Sequence, residues 1–194
     1  MAQPFTAAQR DEIRRRLFDS ACRYALETGV RKTSLDALTA DAGISKSSFY
    51  KFFESKEQLF LAVASSWEKA VLERGAKALE ASREMPNKAR AAAFVYAVFE
   101  AIHRQGMVRF MREDLPYLNA FAPQGAAREH CMDSADMIFS QLRSAQITFT
   151  APDEVVCSVI KLLYLSILNI GDLGSAFFPA LRELVASACD RLVA

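Results

Sequence analysis

The 194-residue sequence predicts an all-α protein: a three-helix N-terminal domain over residues 1–55, joined through a long helix to a helical domain over 56–194. Three observations predict it. Hydrophobic residues make up 52% of the chain, while Gly and Pro number only seven and six, which suits ordered elements with few turns. Apolar positions recur with a helical period in every long segment, and none alternates as a strand would. Between residues 33 and 60 three helix starts follow one another. Each is preceded by a serine (Ser34, Ser45, Ser55) able to accept hydrogen bonds from the orphan N–H groups of a first turn.

The first helix is expected over about 8–28, burying Ile13, Leu17, Phe18, Ala21, Cys22 and Ala25, with Gly29 as its stop and Arg14, Arg15 and Arg16 on a solvated face. Ser34 caps the second, with Asp36 favoured by the helix dipole, and Gly43 ends it. Ser45 caps the third, over residues 46–53, and Ile44 is spaced to staple against Phe49. Phe49, Phe52 and Phe53 fall on one side of this helix. Ser47 and Lys51 point the other way, flanked by Ser48 and Tyr50, with Lys46 in the first turn. Ser55 and Gln58 form a capping box at the head of a long fourth helix, which runs from Lys56 to about Ser82 along Leu59, Phe60, Val63, Trp67, Val71 and Leu72.

A helix, a glycine turn and a short second helix make a helix-turn-helix, the unit that lays its second helix in the major groove of DNA. The bland alternative is an ordinary amphipathic surface helix; the three caps and the hydroxyl-rich, basic outer face favour DNA. On this reading Ser45 caps the recognition helix, and Lys46, Ser47 and Ser48 reach base edges. Tyr50, Lys51, Lys56 and the Thr33–Ser34 corner position the chain on phosphates. Charge agrees modestly: through residue 56 there are ten Lys and Arg against seven Asp and Glu, beyond it fourteen against sixteen, giving +3 and −2.

Residues 42–60, AGISKSSFYKFFESKEQLF, with the preceding TSLDALTADAG, resemble the DNA-binding domain of the tetracycline-repressor (TetR) family of bacterial transcription regulators. The likeness covers about residues 10–60. Two positions depart from the family pattern: Phe52 stands where a polar residue or histidine often touches the DNA backbone, and Thr39 where a small alanine is usual. The resemblance implies a homodimeric cytoplasmic regulator, most simply a repressor. It also implies that the two C-terminal helices pair with those of a second subunit as a four-helix bundle, and that the operator is palindromic. Effector binding would change the separation of the two heads through the fourth helix.

In the C-terminal part, helices are expected over 88–105, 106–113, 126–145, 151–170 and 176–193. The breaks are Asp114-Leu115-Pro116, the stretch 121–125 and GDLGS, and Thr150 caps the fourth of these helices. That helix is apolar almost all round and must be covered on every side. Leu163, Ile167, Ile170, Phe178, Leu181, Val185 and Leu192 are the residues assigned to a partner subunit; a central helix of a monomeric bundle is the plainer reading. A surplus of aromatic and thioether side chains suggests a pocket for a small apolar or aromatic effector. Its candidate residues are Phe99, His103, Met107, Phe110, Met111, Tyr117, Phe121, Met137 and Tyr164. A filled core is the ordinary explanation of such residues, and a protein partner for the C-terminal domain is the alternative function.

Neither metal nor cofactor is expected. Adjacent His130 and Cys131 point about 100° apart on a helix, and there is no HExxH, GxSxG or glycine-rich phosphate loop. The chain is not expected to be an enzyme. No leader or membrane span is read, since the apolar run 155–170 is broken by Ser158, Lys161, Ser166 and Asn169. Cys22, Cys131, Cys157 and Cys189 have no CxxC spacing and are expected to be reduced.

Overall fold

The computed structural model describes residues 5–121 and 134–194, all in helices, turns and loops apart from one antiparallel bridge between Phe149 and Val193. The chain folds into two compact units. One holds the chain through Ser66 together with a segment that begins at Arg109; the other holds Trp67–Val108 and the C-terminal helices. The division therefore falls inside the long helix Lys56–Ala81, between Ser66 and Trp67, whereas the sequence reading put it at the helix start. The expected helix 126–145 is described from Ser134 onward, and the stretch 122–125, His130 and Cys131 lie outside the described residues.

The head begins with α1 (Ala7–Glu27), closed by a reciprocal cap: the Gln9 N–H donates to Thr6 Oγ1 at 3.2 Å and the Thr6 N–H to Gln9 Oε1 at 2.9 Å. Its inner face is Ile13, Leu17, Ser20, Ala21 and Ala25. Helix α2 (Leu35–Ala42) starts on Ser34, whose Oγ accepts the Ala37 N–H at 3.1 Å, and ends on Gly43 at φ 69°. Thr39 is buried there and donates its hydroxyl to the Leu35 carbonyl at 2.9 Å, so the extra polar group costs little. Helix α3 (Lys46–Phe49) is shorter than expected. After Phe49 the ladder tightens into i→i+3 bonds, Lys51 N–H to Ser48 O at 3.1 Å and Phe52 N–H to Phe49 O at 2.8 Å. Helix α4 (Lys56–Ala81) starts with the Gln58 N–H on Ser55 Oγ at 3.1 Å, the serine half of the expected capping box, and the Gln58 side-chain amide donates to the Phe121 carbonyl at 3.4 Å.

The segment from Arg109 contains a π-helical turn, Phe110–Asp114, and passes directly into α6 (Leu115–Asn119). The expected break at Asp114-Leu115-Pro116 is thus a change of ladder. Pro116 has no N–H to give and its ring crowds the carbonyl four residues back, so the bonds before it widen to i→i+5; as an early residue of α6 it is well placed.

The body contains the rest of α4, then α5 (Asn87–Arg104), α7 (Ser134–Ser144), α8 (Asp153–Leu168) and α9 (Phe177–Leu192). Helices α5 and α9 pack together, as do α7 and α8. Gly75 lets α4 approach α5: a Cβ there would stand 2.5 Å from the Phe94 ring and 2.8 Å from Val98. Thr150 does not cap α8, which starts on Pro152. Its hydroxyl donates to the Arg191 carbonyl at 3.0 Å, tying this loop to the end of α9. Among the described residues no single helix is long and apolar enough to cross a membrane.

Candidate nucleic-acid interface

The recognition segment is organised from Ser45. Its Oγ accepts the Ser48 N–H at 3.2 Å and lies 2.9 Å from Ser47 Oγ and 3.1 Å from Ser48 Oγ, so one cap holds all three hydroxyls in register. Phe49 is wholly buried, with the rings of Tyr50 and Phe53 at 5.6 and 5.9 Å. Phe52 is buried beside it. With this side fixed inward, Ser45, Lys46, Ser47, Tyr50 and Lys51 are exposed and Ser48 is half-buried. Lys46 pairs with Asp36 of α2 at 2.8 Å.

Two of the residues assigned to phosphates face inward. Thr33 is buried and donates its hydroxyl to the Gly29 carbonyl at 2.7 Å. The Lys56 ammonium is largely covered and donates to the Val30 and Thr33 carbonyls at 2.9 Å each. Both serve the α1–α2 connection, whose carbonyls need donors once buried. Ser34 is exposed, its hydroxyl engaged as the α2 cap.

That connection is also held by groups the sequence did not single out. The Arg109 guanidinium donates to the Ala25 and Leu26 carbonyls at 2.7 and 3.0 Å, satisfying the C-terminus of α1. Asp114, buried, accepts the Val30 N–H at 3.1 Å with Arg109 at 3.9 Å. Gly29 sits at φ +87°, and a Cβ there would come within 2.9 Å of Arg109 and 3.0 Å of Asp114. In the sequence these two charges belong to the run RFMRED, which resembles any solvated helix face; no local signal marks them.

The nine residues assigned to an effector pocket are divided between the units. Phe110, Met111, Tyr117 and Phe121 belong to the head; Phe99, His103, Met107, Met137 and Tyr164 to the body. Tyr117 donates to Glu57 at 3.2 Å, with Arg31 over its ring at 4.8 Å and Phe121 at 4.9 Å. His103 is exposed against the ring of Phe178 at 5.0 Å. An apolar cavity of about 30 Å³ in the body, with Val95, Leu142, Phe149, Ile160, Leu163 and Leu192 among its walls, is lined by other residues than these nine.

The residues assigned to a partner subunit differ in their exposure. Ile167, Leu181 and Val185 are buried in the body's own core, and Leu163 and Leu192 line its cavity. Ile170 and Phe178 are half-buried. The apolar side chains that reach water are Val155, Leu162 and Leu165 on α8, Leu173 beyond it, and Leu184 on α9, with Leu162 66% exposed. A helix apolar all round offers no periodicity from which to choose its outer face.

Among the described residues no group of His, Cys, Asp and Glu could hold a metal ion. Cys22, Cys157 and Cys189 form no disulfide among the described residues. Burial pushes Cys189 up to about 11, which leaves it protonated and inert.

A capped helix-turn-helix with a buried aromatic face and an outward basic, hydroxyl-rich face is the arrangement by which DNA-binding proteins present a recognition helix. Residues 17–63 match the family profile described as bacterial regulatory proteins, tetR family. The whole chain superposes on a protein described as a TetR-family transcriptional regulator from Mesorhizobium loti (TM-score 0.63, 18% identity, 96% of each chain covered). The transcriptional regulator FadR from Bacillus subtilis, in complex with stearoyl-CoA, is similar at TM-score 0.61 and 14% identity over 90% of this chain and 96% of that one. A superantigen, PfiT, shares the fold as well, at TM-score 0.64 and 18% identity over 93% and 96%. No curated protein matches the sequence. Residues 17–63 thus carry the likeness to the tetR-family DNA-binding region, and the chain shares its fold with these solved structures.

Proposed function

We propose that this regulator is a homodimeric repressor that binds a palindromic operator and is released from it by a small, largely apolar or aromatic effector. The observation that carries the DNA contact is the outward presentation of Lys46, Ser47, Tyr50 and Lys51 from a short helix whose other side is anchored by Phe49. Ser45 and Ser34 set the two helix starts, Lys46, Ser47 and Ser48 meet base edges, and Tyr50 and Lys51 meet phosphates. Subunits pair through the stripe Val155, Leu162 and Leu165 of α8 together with Leu184 of α9, a patch too apolar to be left to water. Two-fold symmetry then presents two recognition helices to two half-sites.

For the effector, the support is the surplus of Phe and Met in the body and the FadR relative that holds stearoyl-CoA. That similarity makes a fatty acyl-CoA the first probe to try.

The test is fluorescence anisotropy with duplexes from the DNA flanking the protein's own gene. The expected result is tight binding to an inverted repeat and weak binding to its scrambled counterpart. Equal affinity for both would sink the repressor reading. An effector that acts by linkage should weaken operator binding by about 5- to 150-fold, and operator DNA should weaken its binding by the same factor. Binding that ignores the operator would assign the body another partner.

A further inference from the structure

We propose that Arg10 and Lys51, held at the two ends of a Phe5–Phe52 ring pair, form a second clamp for the DNA backbone beside the recognition helix; the proposal rests on the DNA-binding reading of the head. Phe5 lies just before the Thr6 cap of α1, and Phe52 just after Lys51. Their ring centroids are 5.9 Å apart. The Arg10 guanidinium stands 5.6 Å from the Phe52 centroid and the Lys51 ammonium 5.7 Å from that of Phe5. The aromatic pair thus ties the start of α1 to the end of the recognition segment, and places one cation at each side.

The other cations packed around the head's helices are largely committed. Arg15 and Arg16 pair with Glu12, Arg23 pairs with Asp41, and Lys46 pairs with Asp36. Lys56 is spent on carbonyls. Arg31, over the ring of Tyr117, and Arg14 and Lys32 also lack an ion pair among the described residues, but none of them stands on the Phe5–Phe52 pair beside the recognition segment. Arg10 and Lys51 are exposed and have no carboxylate partner among the described residues. A ring face orients a cation through its quadrupole but neutralises nothing and leaves the N–H donors unspent. An anion completes such a site, and Arg in particular suits the planar, two-pronged recognition of a phosphate. The anion that the neighbouring recognition helix brings within reach is the phosphodiester backbone of the duplex it enters. Phe52 acts as a positioning residue for Arg10 and, through Phe5, for Lys51.

The experiment measures binding of the full chain to a random-sequence duplex of about 30 base pairs between about 50 and 200 mM salt, where the sequence-independent phosphate contacts dominate. Arg10→Gln should make the log–log salt slope less negative by about 0.9 per bound subunit and weaken binding roughly 8-fold per contact at about 0.1 M salt. Arg10→Lys should keep most of the slope, which a merely structural role for the guanidinium would not predict. Phe5→Ala should weaken binding while circular dichroism shows an unchanged helix content. An Arg10→Gln variant with the affinity and slope of the wild type overturns the clamp and leaves the recognition helix standing. A wild-type chain without salt-dependent affinity for duplex overturns the DNA reading, and the clamp with it.

Discussion

The head and the body are stabilised by different chemistry. In the head, short elements are fixed by named polar contacts: serine and threonine caps at Thr6, Ser34, Ser45 and Ser55, the Lys56 ammonium on two carbonyls, and the Arg109–Asp114 pair against the end of α1. In the body, α8 and α9 are fixed by apolar packing around Ile160, Ile167, Leu181 and Val185, and polar ties are peripheral, such as Lys88 on the Asp190 carbonyl. The difference teaches which substitutions each tolerates. A hydrogen bond is directional and loses its partner outright when one side chain goes, whereas packing is redundant until a charge or a cavity is placed in it.

The strongest way to break the comparison lies in α8. Ile167→Glu puts an unpaired carboxylate at a position with no exposure and should cost roughly 4 kcal/mol or more, enough to unfold the body. Leu162→Glu, five positions earlier on the water-facing side, should leave the single chain within about 0.5 kcal/mol of wild type and yet dissociate the proposed dimer. Sedimentation and circular dichroism, read together, separate these outcomes. A folded Ile167→Glu monomer would restore the partner face first read from the sequence.

Next in size is Asp114→Ala, which leaves the buried Val30 N–H without an acceptor and Arg109 without its nearest buried carboxylate. It should cost roughly 2–3 kcal/mol and lower DNA affinity through the head. Thermal unfolding of the variant against wild type checks the first, anisotropy the second. An unchanged melting temperature would mean that the polar contacts of the head are replaceable, and the contrast with the body would fail.

The smallest effect sharpens the comparison from the body's side. Glu68, half-buried on α4, has its carboxyl pushed up to about 7 by burial. The folded state therefore binds this proton more tightly than the unfolded chain does. Stability from this group is present below the ordinary glutamate range, declines as pH rises toward 7, and is lost above it. Because the group is partly open to solvent, the swing should be no more than about 1 kcal/mol. Glu68→Gln should flatten the dependence of the melting temperature between pH 4.5 and 8. A wild-type profile already flat across that window would place Glu68 in water.

The sequence by itself determined what depends on neighbours a few residues away. Ser34 and Ser45 cap because a hydroxyl three residues before an N–H can reach it, Gly43 ends α2 because only its own backbone must turn left-handed, and Phe49 faces inward because period and polarity agree over one short helix. The two C-terminal helices were legible for the same reason, as apolar runs with clear ends. Only the tertiary structure decided matters that join distant residues or choose among equivalent faces. Lys56 reads as a free cation until the carbonyls of Val30 and Thr33, more than twenty residues earlier, are placed beside it. Asp114 reads as part of a solvated charge run until the Val30 N–H, 84 residues away in sequence, meets it. Along α8, Ile167 and Leu165 are alike as sequence, and which of them is buried depends on the side from which the rest of the body packs.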